Sequence, residues 1–373
     1  MRRLAQNLLV VGCALFLALL AAEGLSRLLP RQPEPPIKIY DARTGYRLRP
    51  GMSGTWTVEN RGHFTFNSLG FRDVEWAPKK LKPYRVAVLG DSFAEALQVN
   101  LDQSFPKIAE KLLEDTEVMN FGISGQGQVE ELLTYRTYVR PFRPDLVVLT
   151  FFPGNDCLDN ARRSRPSLKF PFFVTPAANG VELLPSPGVE RVAWLRRVID
   201  WALYRCSLLQ RLQDARKAAF MRALAREGIG AGGLWEGAFG DPAGTVKDFE
   251  AIWGLTEKLL LQISRDVAAD TGRSDRLLVV CLTQGLQVHR AQREQFEKEH
   301  PGLDPDYAEK RVRAFCAASG ISFLALSPDL SRFNAASGRF LHGFDGSGDG
   351  HFNLDGHREA AESIARRLRT MLP

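Results

Sequence analysis

The sequence predicts an α/β fold, a three-layer α/β/α sandwich on a five-stranded parallel sheet, with an apolar N-terminal helix and a cap insertion. Three observations predict it. Five short runs after residue 80 are almost continuously apolar, as strands buried on both faces are. Amphipathic stretches of helical period separate them. Small polar motifs follow the first three runs, where open α/β sheets place their ligands.

The N-terminus comes first. Met1-Arg2-Arg3 precedes an apolar run from Leu8 to Ala22, the pattern of an exported chain whose N-terminus stays inside. Ala22-Glu23-Gly24 fits a small-x-small cleavage site, but the helical pattern continues through Leu25, Leu28 and Leu29 and favours an uncleaved transmembrane anchor. Val10-Val11-Gly12-Cys13 is no lipoprotein site, because the apolar stretch before it is too short and the one after it too long. Residues 1–29 are thus assigned to the anchor, in the cytoplasmic membrane with a single pass. Everything after it lies on the periplasmic, extracytoplasmic side. Residues 30–80 form a stiff Pro-rich linker and an extended preamble that wraps the core.

The strands are Arg85–Leu89, Glu117–Asn120, Leu146–Phe151, Arg276–Leu282 and Ile321–Leu326. The helices between and after them are Ser104–Leu113, Val129–Tyr138, Thr245–Ala269, Tyr307–Ala318 and Leu354–Met371. This is a flavodoxin-like alternation over residues 81–373. Residues 157–244 interrupt it: Asn179-Gly180 between Phe172–Val174 and Val181–Leu183 signals a hairpin, Val189–Arg226 reads as amphipathic helix, and Gly228–Gly244 as a mobile loop. The whole is read as a lid or cap.

Composition narrows the function. At 45% hydrophobic and 25% charged residues, the chain is neither disordered nor collagen-like. Its net charge of +6 is local, since residues 157–228 hold thirteen Lys/Arg against six Asp/Glu. No zinc-finger spacing or aromatic-rich basic motif accompanies it, so no nucleic-acid partner is expected. The five cysteines show no metal-binding spacing, and a Cys157–Cys206 bridge is compatible with an oxidising compartment without being indicated by the sequence. No metal and no cofactor are expected. Asp345-x-Ser347-x-Asp349-Gly350 opens like a calcium loop but has Gly356 where the closing Glu belongs. The glycines from Gly122 to Gly127 fail the dinucleotide pattern at Glu130.

The chemistry lies after the strands. Gly90-Asp91-Ser92 puts a serine on a tight turn after the first. Gly125 follows the second, and Gly154-Asn155-Asp156 the third. A glycine N–H, an Asn amide and the Ser92 N–H form a set of donors suited to an oxyanion. Of the six histidines, three cluster before the last helix, and His351 is the candidate general base, with Asp349 as the carboxylate that orients it. His357, inside the final helix, reads as a packing or surface residue.

Together and in order, these motifs resemble the four blocks of the SGNH (GDSL-type) hydrolase superfamily: Ser92, Gly125, Asn155 and Asp349-Gly350-His351. The resemblance implies a 2-1-3-4-5 sheet, no metal, and ester hydrolysis or acyl transfer through an acyl-serine, with Asp91 and Asp156 in support. The usual spacing is Asp-x-x-His, but Gly348 stands three before His351. The shorter Asp-x-His is similar to that of SGNH-like proteins of exopolysaccharide O-acetylation, and Asp345 is the reserve carboxylate. Asn67-Ser-Leu-Gly-Phe-Arg-Asp73 resembles the preamble of membrane-anchored bacterial members. The expected substrate is an acylated glycan or small ester. The rival readings are a lipid or lysophospholipid esterase, suggested by Trp194, Leu195, Trp201 and Leu208 in the cap, and a non-catalytic glycan-binding assembly protein.

Overall fold

A computed structural model describes the chain outside residues 1, 30–34, 169, 179, 227–237, 242–243, 245–247 and 373. Helix α1 (Arg2–Leu28) is long and apolar enough to cross a membrane, and its leucines from Leu4 to Leu20 lie exposed. The preamble forms two antiparallel hairpins, β1 (Lys38–Asp41) with β2 (Gly45–Leu48) and β3 (Ser53–Trp56) with β4 (Gly62–Thr65).

The core alternation follows: β5 (Tyr84–Leu89), the short α2 (Ser92–Glu95), α3 (Phe105–Leu112), β6 (Thr116–Asn120), α4 (Gln128–Thr134), β7 (Leu146–Phe151) and α5 (Asp156–Arg162). The insertion contributes β8 (Phe172–Ala177), β9 (Gly180–Pro185), α6 (Val189–Arg205) and α7 (Ser207–Arg226). The chain then re-enters the core through α8 (Phe249–Thr271), β10 (Leu277–Cys281), α9 (Gly285–Val288), α10 (Arg290–Glu299), α11 (Tyr307–Ser319), β11 (Ser322–Ala325), α12 (Ser327–Ser337) and α13 (Leu354–Met371).

The main sheet has the order β11-β10-β7-β5-β6 with every pair parallel, which is the expected 2-1-3-4-5 arrangement. All six residues of β7, the middle strand, are buried, as a strand covered by helices on both faces must be. One layer packs around Trp253, Leu259 and Ile263 of α8, and the other around Ala361, Ile364 and Leu368 of α13. Because β6 and β7 flank β5, the segments after all three converge at one end of the sheet.

The structure departs from the sequence reading in places. The helix expected over 129–138 changes pitch at Tyr135, where a wider π turn (Tyr135–Val139) takes over. The hairpin appears as expected, with Ala177 paired to Gly180, while most of the Gly228–Gly244 loop falls outside the described residues. All five cysteines are free, so Cys157 and Cys206 are not bridged; Cys157 is buried beside the core and Cys206 lies at the start of α7.

Candidate active site

The serine's turn is forced by crowding. Gly90 passes so close to Thr150 on β7 that a Cβ would lie 2.0 Å from its Oγ1, so only glycine fits. Asp91 then caps α2, its Oδ1 accepting from the Phe93 N–H at 3.0 Å, and Ser92 is the first helical residue, half-buried.

His351 meets it. Nε2 lies 2.8 Å from Ser92 Oγ, and the ring rests on Phe93 with centroids 4.9 Å apart. On the other side, Nδ1 lies 2.8 Å from Glu59 Oε1, while the His351 backbone N–H donates to Glu59 Oε2 at 3.2 Å. Glu59 sits at the tip of the β3–β4 hairpin with φ of 62°. Partial burial acts to raise its carboxyl, but the hydrogen bonds and charge of His351 outweigh that and hold it below the ordinary value. Serine, imidazole and carboxylate thus form a continuous hydrogen-bonded chain.

No family model and no curated protein matches this sequence. Solved structures do match it. TesA is 13% identical with a TM-score of 0.39, covering 77% of this chain and 99% of its own. A lipolytic protein of the G-D-S-L family from Veillonella parvula is 13% identical with a TM-score of 0.39, covering 77% and 99%. The acetyl xylan esterase AlAXEase is 13% identical with a TM-score of 0.40, covering 76% and 99%. Likeness at this level carries no argument about activity. The sheet order, with three of the sequence blocks following β5, β6 and β7 and the fourth bringing His351 from the loop before α13 onto Ser92, decides the architecture. This is the arrangement that the SGNH resemblance implies.

The glycine and asparagine blocks follow β6 and β7, where the sequence placed them. Gly125, with φ of +74°, follows β6 in a loop fastened by Asn120, whose Oδ1 accepts from Gly122 N and whose Nδ2 donates to Ala94 O. Lys38 Nζ and Tyr46 Oη both donate to the Ser124 carbonyl, which fixes the peptide that carries the Gly125 N–H. Among the described residues, the N–H groups of Ser92 and Gly125 have no acceptor. Asn155 precedes α5, and its Nδ2 donates to Asp159 Oδ2 at 2.9 Å, leaving one amide hydrogen.

The carboxylate expected on His351 is corrected. Asp349 is exposed and its Oδ1 accepts from the Gly350 N–H at 2.9 Å, while the reserve, Asp345, accepts from Ser347 N. Neither is bonded to the imidazole. The reason is steric: the backbone turns at Gly350 (φ +106°), and a Cβ there would sit 3.2 Å from Glu59 Oε2, so the space beside His351 belongs to Glu59. The preamble motif left Glu59 unmarked; the one available signal was the turn Glu59-Asn60-Arg61-Gly62 between alternating segments. His357 is a packing residue, buried in α13 with Nδ1 accepting from Phe105 N, and burial pulls it down to about 3.

Asp91 and Asp156 lie under the site, fully buried. Asp156 Oδ2 accepts from Phe152 N and Gln128 Nε2, and Glu131 shares that Gln128 amide. Burial, reinforced by mutual repulsion, pushes Asp156 and Glu131 well above the ordinary range, and burial pushes Asp91 up to about 6, with Asp91 Oδ2 left without a donor. A folded-state pKa above the unfolded one means that stability is full below the unfolded value, near 4, and falls as pH rises through about 6. Asp91→Asn keeps the Phe93 acceptor and removes the charge. It is expected to stabilise the chain at pH 8 by roughly 2–3 kcal/mol and at pH 4 by almost nothing, as read from urea midpoints at the two pH values. Equal effects at both would refute this account of the buried acids.

Among the described residues, no group of three His, Cys, Asp or Glu is placed to hold a metal ion. A cavity of about 530 Å³ opens at the opposite end of the sheet, lined by Lys80, Tyr84, Arg140 and Asp145. Lys80 pairs there with Asp145 and Arg140 with Asp270, and the cavity lies away from the serine.

Proposed function

We propose that this chain is a membrane-anchored, extracytoplasmic serine esterase or acyltransferase acting on O-acyl groups, foremost O-acetyl, of a cell-surface glycan. The observation that carries the esterase reading is the Ser92–His351–Glu59 chain, with 2.8 Å at each side-chain link. Ser92 Oγ attacks the ester carbonyl carbon while His351 Nε2 takes its proton, and Glu59 holds the proton on Nδ1 so that Nε2 faces the serine as an acceptor. The N–H groups of Ser92 and Gly125, with the Asn155 amide, receive the oxyanion. His351 returns the proton to the leaving alkoxide, and water or a sugar hydroxyl then releases the acyl group from Ser92. The arginines at positions 2 and 3 before the apolar helix support an inside N-terminus and an outward catalytic body.

The test is covalent labelling of the detergent-solubilised chain by a fluorophosphonate, which phosphonylates Ser92 Oγ with loss of fluoride. Intact mass is expected to show one adduct on the wild type and none on Ser92→Ala or His351→Ala. An adduct that persists in Ser92→Ala, or a folded chain that never reacts, would overturn the reading. Acetate release from an acetylated glycan, with and without an acceptor glycan, then separates hydrolase from transferase.

A further inference from the structure

We propose that the α6–α7 hairpin is a membrane-seating platform, its apolar face embedded in the interfacial layer of the anionic bilayer that α1 crosses. This rests on the reading of α1 as an anchor. The observations are independent of the catalytic site.

The end of α1 is hydrogen-bonded to the corner between α6 and α7. Glu23 Oε1 accepts from Ser207 N at 3.0 Å, and Oε2 accepts from Leu208 N at 2.9 Å and Cys206 Sγ–H at 3.1 Å, so a carboxylate of one helix caps the next. Arg27 Nη2 donates to Arg205 O, and Arg211 donates through Nε and Nη2 to Ser26 O. From Leu4 to Ala22 the helix rises roughly 28 Å, close to the ~30 Å of a hydrocarbon core. Glu23, and with it the start of α7, therefore stands at the bilayer surface.

Helix α6 is amphipathic in the opposite sense to a core helix. Its polar side is the one that touches the body: Asp200 Oδ2 accepts from Tyr40 N at 2.7 Å, Arg196 lies over the Tyr40 ring, and Tyr204 lies under Arg49. Its apolar residues Trp194, Leu195, Val198, Ile199 and Trp201 are 42–64% exposed. At about 100° per residue they fall within roughly 160° of the circumference. Leu209 and Leu212 extend the exposed apolar surface onto α7. A lid would turn such residues inward over the serine. Indoles with long arginines beside them, such as Arg191 and Arg205, suit the headgroup boundary, where the aliphatic stems lie along the acyl chains and the cations stay among phosphates. Residues 189–226 carry nine Lys/Arg against three Asp/Glu, the complement of an anionic leaflet.

The full chain is placed in nanodiscs of phosphatidylethanolamine and phosphatidylglycerol, with lipids brominated near the headgroup as quenchers. Emission of the two indoles is taken as the difference between the chain and its Trp194→Phe/Trp201→Phe variant. Roughly half or more of that difference is expected to be quenched, because interfacial residues lie within ~5–10 Å of the headgroup boundary. In Glu23→Ala, exchange of the Ser207 and Leu208 amides is expected to quicken roughly five- to tenfold, as for a lost cap. If the chain resists alkaline extraction but the difference emission is not quenched, the anchor reading stands and the platform is overturned. Protection of the indoles by a second protein instead of lipid overturns it as well. If alkaline extraction releases the chain, the anchor reading fails and takes the platform with it.

Discussion

Glu59→Gln is expected to lower kcat/KM for ester hydrolysis by about 10³–10⁴-fold, the size of effect that follows when a triad carboxylate becomes an amide. The two Glu59 oxygens serve two donors, the imidazole Nδ1–H and the His351 backbone N–H. Glutamine has one oxygen, so one donor is left facing an NH₂ group. If that donor is Nδ1, the imidazole moves its proton to Nε2 and points it at Ser92, where it can no longer accept. The negative charge that steadies the imidazolium during acylation is lost in either case. Asp349→Asn and Asp345→Asn are expected to stay within about twofold of wild type, as exposed side chains with only local partners do. A large loss in Asp349→Asn beside a near-normal Glu59→Gln would refute the assignment. The pH dependence has a definite sign: the folded carboxyl of Glu59 is lowered, so its contribution is complete above the ordinary carboxylate value and is lost as pH falls through the lowered one.

Much of this was legible in the sequence because burial and proximity to the serine leave local traces. The five strands are short apolar runs, and the residues that end them must be small or polar to turn a chain at a crowded sheet edge. Ser92 was identifiable for that reason, and His351 from the cluster of histidines before the last helix. Glu59 was not, because its contact with His351 spans 292 residues and its hairpin carries no pattern beyond turn and strand alternation. Helix α10 escaped for a different reason. Its stability comes from surface pairs four residues apart, Arg290 with Glu294 and Arg293 with Glu297, and none of its residues is buried, so no apolar stripe announces it. The direction in which α6 faces was likewise hidden, since periodicity shows that a helix has two faces and not which one meets the protein.

Arg72→Met is expected to destabilise the chain by about 3–5 kcal/mol, the cost of withdrawing one partner from a buried charged network. The preamble motif explains why. Asn67 Oδ1 accepts from Leu69 N and Phe71 N, and Gly70 (φ +79°) passes where a Cβ would lie 2.3 Å from Leu48 O, so the turn that delivers Arg72 inward is tightly defined. Its guanidinium donates through Nη1 to Glu95 O and Ala96 O and through Nη2 to His63 O and Val99 O. Burial pulls it down to about 10, against the attraction of Glu95 and Asp73, so it remains charged at neutral pH. One side chain thereby joins the end of the serine's helix, α2, to β4 beside Glu59. Methionine fills the volume but leaves four carbonyls without that donor, and the β3–β4 hairpin loses a buried tie to the nucleophile. Denaturation of the detergent-solubilised chain measures the first effect. The second is a positioning effect, expected as a fall in kcat with KM nearly unchanged, and Arg72→Lys, which keeps the charge but not the fork, should recover only part of either. A loss below about 1 kcal/mol would place Arg72 with ordinary surface residues and refute its role as the strut between the two halves of the site.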